Sequence, residues 1–152
     1  MYDLEKITKM IKDVEKYFAD LESFGLNEKT VEDTETFYAS SMVMFGILNR
    51  MVDLGEEIII KNDFGMPQNY QEYFEVLNKN GIIGKELAEE LKGLVKDRNV
   101  LAHQYFDVKD KEILKMLKRV YSVKKFIERI KKEVGRERSW LEKYYLFLHW
   151  FC

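Results

Sequence analysis

The run Lys96-Asp97-Arg98-Asn99-Val100-Leu101-Ala102-His103-Gln104-Tyr105 decides how this chain is read. Leu87, Leu91, Leu94, Leu101 and Tyr105 recur at steps of three, four or seven, which is one face of an α-helix. Arg98 continues that face between Leu94 and Leu101, where an apolar side chain belongs. A cation on a burying stripe is costly unless it is paired or faces a partner. Five residues further on stands His103, one of only two histidines. Its side-chain type suits proton transfer near neutral pH.

Working outward, helical spacing recurs along the whole chain. Ile7, Ile11, Val14, Phe18 and Leu21 form a first stripe that stops near Gly25, a C-terminal capping residue. Thr30 is read as the cap of a second helix, in which Phe37, Phe45, Leu48, Val52, Gly55 and Ile59 lead to about Asp63. Gly55 falls on the buried stripe, where a missing side chain lets another helix approach; the alternative is a merely tolerated glycine. Phe64-Gly65-Met66-Pro67 is the clearest break. A short helix with Tyr70, Phe74 and Leu77 ends at Asn80-Gly81. Gly84 opens the helix that carries the opening run, from Lys85 to about Ala102. Asp107 to Val134 reads as one helix, interrupted by Gly135, and Arg136 to Cys152 as a last one with Trp140, Tyr144, Phe147 and Phe151 aligned. No stretch alternates well enough for a strand. The expected fold is all-α, an antiparallel bundle of four to six helices. The bundle is expected over residues 1–135, with 136–152 an aromatic-rich extension packed on the same domain or within a dimer.

Composition narrows the function classes. The 152 residues are 46% hydrophobic and 34% charged, which fits one globular domain rather than a disordered chain. A net charge of −2 gives no global field for nucleic acid, so any such contact needs a local patch or a groove, of one subunit or built by two. The single cysteine, Cys152, allows no disulfide within the chain, in keeping with a reducing cytoplasm. The start is amphipathic and acid-rich, unlike a signal peptide. The apolar tail Tyr144 to Cys152 is far short of the roughly 20 residues that span a bilayer. Two distant histidines and a terminal cysteine form no zinc pattern, and neither phosphate-loop nor dinucleotide glycine motifs occur, so no metal or cofactor is expected.

The charged residues suggest phosphate chemistry. Arginine's planar fork binds oxygen pairs, and histidine can take a proton from a ribose 2′-hydroxyl or give one to a leaving oxygen. On a straight helix, residues five apart point about 140° away from each other, so Arg98 and His103 need not touch. Asn99 lies one turn before His103 and can bond its imidazole. Asp97 can orient Arg98 or His103, or simply face water. Lys92 and Lys96 can add positive charge, and Glu56 or Glu57 a supporting acid. The ordinary structural readings are a histidine bonding the last carbonyls of its helix, and an arginine at a subunit boundary or paired with an acid such as Asp97.

Arg98-Asn99-Val100-Leu101-Ala102-His103-Gln104-Tyr105 resembles the Arg-x4-His-x-Tyr signature of HEPN proteins (higher eukaryotes and prokaryotes nucleotide-binding), in the HepT-like branch. Leu54-Gly55-Glu56, Gly81-Ile82-Ile83 and Asp107-Val108 stand in matching surroundings. The resemblance covers roughly residues 1–132 and is most specific over 50–110. It implies an α-helical homodimer in which motifs from both subunits line one cleft, and in many members a ribonuclease toxin. The antitoxin is typically a minimal nucleotidyltransferase that attaches AMP to the motif tyrosine. The implied catalytic pair is Arg98 and His103, with Asn99 and Asp97 in support and Tyr105 as AMP acceptor. The implied partners are RNA, a second copy of the chain and the antitoxin, in the cytoplasm. Some HEPN domains only bind, so a non-catalytic nucleotide- or nucleotidyltransferase-binding module is the alternative, and a purely structural helical dimer a third.

Overall fold

A computed structural model describes residues 1–103 and 107–151; from 140 onward only the side chains of Glu142 and Leu146 are included. Gln104, Tyr105 and the aromatic side chains of the tail (Trp140, Tyr144, Phe147, Trp150, Phe151), with His149, lie outside the described residues. The described residues form six helices and no strand: α1 Leu4–Phe24, α2 Thr34–Asn62, α3 Tyr70–Lys79, α4 Lys85–His103, α5 Asp110–Val120 and α6 Ser122–Phe151.

Side-chain pairs fix the helix directions. Asp13 meets Arg50, Lys6 meets Glu57 and Tyr2 meets Asn62, so α1 and α2 run antiparallel. Glu75 with Lys92 sets α3 against α4, and Asp97 with Arg119 and Glu90 with Ser122 set α4 against the α5–α6 arm. Glu22 with Lys124 and Glu15 with Lys131 return α6 along α1. The pairs range from part-buried to exposed, and the exposed ones are individually worth little; apolar burial supplies most of the cohesion. Helix α2 lies at the centre, in contact with α1, α3, α4, α5 and α6. Met44, Ile47, Leu48, Met51, Leu54 and Ile58 on it are essentially inaccessible, and Phe74 of α3 meets Phe126 of α6 edge-on at 5.7 Å between centroids.

Local chemistry explains the ends. Gly25 closes α1 at φ 63°, a left-handed conformation costly for residues with a Cβ. Thr30 is not the cap of α2: its Oγ1 donates to the Gly25 carbonyl at 2.8 Å and so ties the connecting loop. Asp33 caps instead, its Oδ2 accepting from the Thr36 N–H and hydroxyl. These two bonds hold the Asp33 carboxyl below its usual range, the hydroxyl bond having the larger effect.

The stretch read as one helix from Asp107 to Val134 is two, parted at Tyr121. Tyr121 keeps φ −63° and ψ −18°, so the apolar spacing hardly registers the break. Gly135 does not interrupt α6, which continues through it; a lone glycine costs a helix only about 1 kcal/mol.

Gly55 faces α3, yet a Cβ built there would lie 3.5 Å from the Phe74 ring, an ordinary contact. Gly55→Ala should therefore raise stability by up to ~1 kcal/mol through helix propensity. Thermal melts check this; a fall in Tm would mean that the α2–α3 contact is tighter than described.

Candidate functional site around Arg98

Arg98 sits on α4 within the burying face formed by Ala88, Leu91, Leu94, Val95 and Leu101, and is itself half-buried. Neutral groups hold it. Its Nε donates to Asn49 Oδ1 of α2 at 3.0 Å and its Nη1 to Asn99 Oδ1 at 3.2 Å. Its Cζ lies 5.5 Å from the Phe45 ring centroid and 5.3 Å from that of Tyr70. Phe45 and Asn49 are one turn apart on α2, so a single helix face supplies a ring and an amide. Among the described residues, no carboxylate forms a salt bridge with Arg98. A guanidinium has five N–H donors; two bond described residues, and the other three make no hydrogen bond among the described residues.

The sequence placed Asp97 as a support for Arg98 or His103. The structure corrects this. Asp97 is buried, 7% exposed, and both its oxygens accept from Arg119 of α5, at 2.8 Å and 2.7 Å. The reason is helical geometry: adjacent residues point about 100° apart, so Asp97 faces α5 while Arg98 faces α2. The hydrogen bond to Asp97 holds Arg119 above the usual guanidinium value. Asn99 also turns out differently. Its side-chain oxygen serves Arg98, and no hydrogen bond joins it to His103.

His103 is exposed at the last residue of α4. Among the described residues nothing brings it to Arg98: no hydrogen bond links the two, and they stand on different sides of the helix. Tyr105 lies outside the described residues. Lys92 is engaged by Glu75 at 2.8 Å and Glu89 at 3.4 Å and is no free cation for a groove; Lys96 is exposed. Glu57 is buried toward α1 with Lys6 at 2.6 Å, and Glu56 accepts from Tyr73 at 3.4 Å, so neither supports the motif.

Asn49, Tyr70 and Arg119 were missed as site residues. Asn49 carries a visible signal, a polar residue one turn after Phe45 on the apolar stripe. Arg119 carries none, because its role depends on how α5 is placed.

Two hollows flank Arg98. One is apolar, about 370 Å³, lined by Tyr38, Ser41, Met42, Phe45, Leu101 and Ala102. The other, about 490 Å³, lies between the start of α3 and α4 and is lined by Gln68, Asn69, Tyr70, Gln71, Val95 and Asn99. No group of three His, Cys, Asp or Glu among the described residues could hold a metal ion, and none of the described helices is long and apolar enough to cross a membrane.

A helical bundle that presents a lone arginine at a helix crossing, with a histidine five residues on, is the architecture of a known class. A family profile described as "Ribonuclease HepT-like" matches residues 7–130, and the chain belongs to that family. No curated relative matches. Among solved structures, the fold is shared with a tri-AMPylated HEPN toxin from Shewanella oneidensis in complex with its MNT antitoxin (TM-score 0.77, 20% identity, 87% of this chain and 99% of that one). A toxin-antitoxin structure with AMP-PNP is similar (TM-score 0.76, 19% identity, 83% and 97% covered). So is the Bacillus subtilis cytosolic protein of unknown function YutE (TM-score 0.78, 21% identity, 90% and 95% covered).

The Asp97–Arg119 pair gives an asymmetric expectation. Arg119→Ala strands a buried carboxylate, whereas Asp97→Ala leaves a half-exposed guanidinium that turns to water. Arg119→Ala should cost about 2–3 kcal/mol, below the ~3–5 of a fully enclosed pair, and more than Asp97→Ala. Urea unfolding of both variants checks the order; equal losses would contradict it.

Proposed function

We propose that this protein is the toxin of a HEPN/minimal nucleotidyltransferase pair and cleaves RNA as a homodimer. The observation that carries this reading is the half-buried Arg98, held by two amides and two rings with no described carboxylate against it. Such a charge is stable where an anion completes it. Membership of the HepT-like ribonuclease family and the shared fold of the HEPN toxins support it.

A second subunit resolves the separation of Arg98 from His103. In a shared cleft, the Arg98 of one protomer holds a phosphate within reach of the His103 of either. One His103 takes the proton of the ribose 2′-hydroxyl, and the 2′-oxygen attacks phosphorus. The bond to the 5′-oxygen breaks, and the second His103, protonated, gives that oxygen its proton. The products are a 2′,3′-cyclic phosphate and a 5′-hydroxyl, and the proton count closes. Arg98 stabilises the charge that builds on the phosphoryl oxygens. The cycle uses no metal.

Tyr105 is the proposed acceptor of AMP from the antitoxin. Added phosphates bring negative charge and bulk against Arg98 and close the cleft to RNA. The setting is the cytoplasm. We also propose the division of the chain into a bundle over 1–135 and an extension over 136–152 that takes part in subunit association. An exposed His103 with no hydrogen bond to a described residue also favours the second reading, a module that binds nucleotide or the nucleotidyltransferase without cleaving.

His103→Ala should lower RNA cleavage by roughly 10²–10⁴-fold with unchanged helical content by circular dichroism, and cleavage by the unaltered protein should persist in a chelator. Full activity in the variant would remove His103 from the chemistry; an unaltered protein that binds RNA without cutting it would favour the second reading. Tyr105→Phe should take up no AMP when incubated with ATP and the antitoxin, as read by intact-protein mass; modification at full yield would place the acceptor elsewhere.

A further inference from the structure

Beside Arg98, the hollow between the start of α3 and α4 differs from the other main hollows of the described surface. It has an uncharged, hydrogen-bonding lining: Gln68, Asn69, Tyr70, Gln71, Val95 and Asn99. The apolar hollow on the other side of Arg98 carries no amide. The concavities along α1 carry several charges of both signs. At about 490 Å³ the amide hollow is in the ~300–1,000 Å³ range of small-ligand clefts. We infer that it is a subsite for one unpaired base of single-stranded RNA, the nucleotide whose phosphate lies on Arg98. The inference rests on the RNA-binding reading of Arg98 above.

Three features support it. First, the lining suits a neutral base rather than a phosphate: no lysine or arginine contributes to it, and the cation stands at its edge. Tyr70 joins the two, because its ring lines the hollow and lies 5.3 Å from the Arg98 Cζ. A single nucleotide, base in the hollow and phosphate on the guanidinium, spans that division.

Second, Tyr70 is a stacking platform. The residue is 38% exposed although it opens a helix that buries Phe74 and Leu77 completely. It is steadied by an edge contact with Tyr73 at 5.5 Å and by the Arg98 cation. Unpaired bases are held by stacking on such rings and on arginine planes.

Third, the rim is rigid while its reading groups are open. Asn69 caps α3, its Oδ1 accepting from the Glu72 N–H at 3.0 Å and its Nδ2 donating to Glu72 Oε1 at 3.1 Å. The other Glu72 oxygen accepts from the Gln68 N–H at 2.7 Å. Asn69 is therefore spent on the fold. The Gln68 and Gln71 side-chain amides make no hydrogen bond to a described residue, and Asn99 uses only its oxygen, leaving its amide donors. Each glutamine amide offers two donors and an acceptor, which is what a base edge requires.

The test measures binding of labelled six-nucleotide 2′-fluoro RNAs, which cannot cyclise and so are not cut. Oligo-A, oligo-C, oligo-U and an abasic strand are compared by fluorescence anisotropy, with a duplex and free mononucleotides alongside. Unmodified RNA is tested for cleavage with the same preparations. The unaltered protein should separate its best and worst bases by roughly tenfold and bind the abasic strand no better than the worst. Gln68→Ala/Gln71→Ala should bring all strands within about twofold of one another, with helical content unchanged. Arg98→Ala should weaken all strands alike. Equal affinity for every base, a preference that survives the double substitution, a duplex bound as tightly as single strands, or a mononucleotide bound as tightly as the hexamers would each overturn the subsite. If RNA is cut without base preference, the subsite alone fails; if RNA is neither bound nor cut, the RNA reading of Arg98 fails and the subsite with it.

Discussion

Where the Asp97 carboxylate goes determines what Arg98 can do. Both of its oxygens are committed to Arg119. The acid closest in sequence to Arg98 therefore cannot quench it. Had α5 lacked a cation at that point, Asp97, which helical geometry turns toward α5, would be a buried carboxylate without its partner. Instead, the pair ties α5 to α4, and Arg98 projects toward α2 among partners that accept hydrogen bonds and π contacts without cancelling charge. One structural ion pair thus leaves Arg98 without a described carboxylate partner.

The same division of labour extends through the bundle. Helix α2 carries the most deeply buried aliphatic side chains and touches five other helices. The amide and ring that steady Arg98 are therefore fixed to the least deformable part of the molecule. His103, by contrast, ends its helix and is exposed. On the proposed reading, Arg98 would anchor phosphate from the buried core and an exposed His103 would carry the proton, in a site that a second subunit completes. Membership of the HepT-like family is consistent with that division.

Much of the fold was legible in the sequence because burial imposes its period. The first four apolar stripes fell on α1 to α4, and Gly25, Asp63 and Asn80-Gly81 foretold the ends of the first three. The misread points are places where local chemistry overrides spacing. Thr30 and Asp33 both have capping side chains, and only the loop's own hydrogen bonds decide between them. The parting at Tyr121 keeps near-helical angles and leaves the stripe in phase. Gly135 weakens a helix without ending it. In the site, Arg98 was legible as a charge out of place. Asn49, Tyr70 and Arg119 were not, since each meets the motif only through tertiary packing, and Asp97 was misplaced because sequence adjacency was taken for spatial adjacency.

The central claim is that Arg98 is an anion-binding group and Arg119 a structural one. Side-chain ¹⁵N NMR of the arginine Nε–H groups, followed as single-stranded RNA is added, measures this directly. The Arg98 resonance should shift and its proton exchange slow as RNA binds, while Arg119 stays unchanged. RNA binding that leaves Arg98 unmoved would contradict the account.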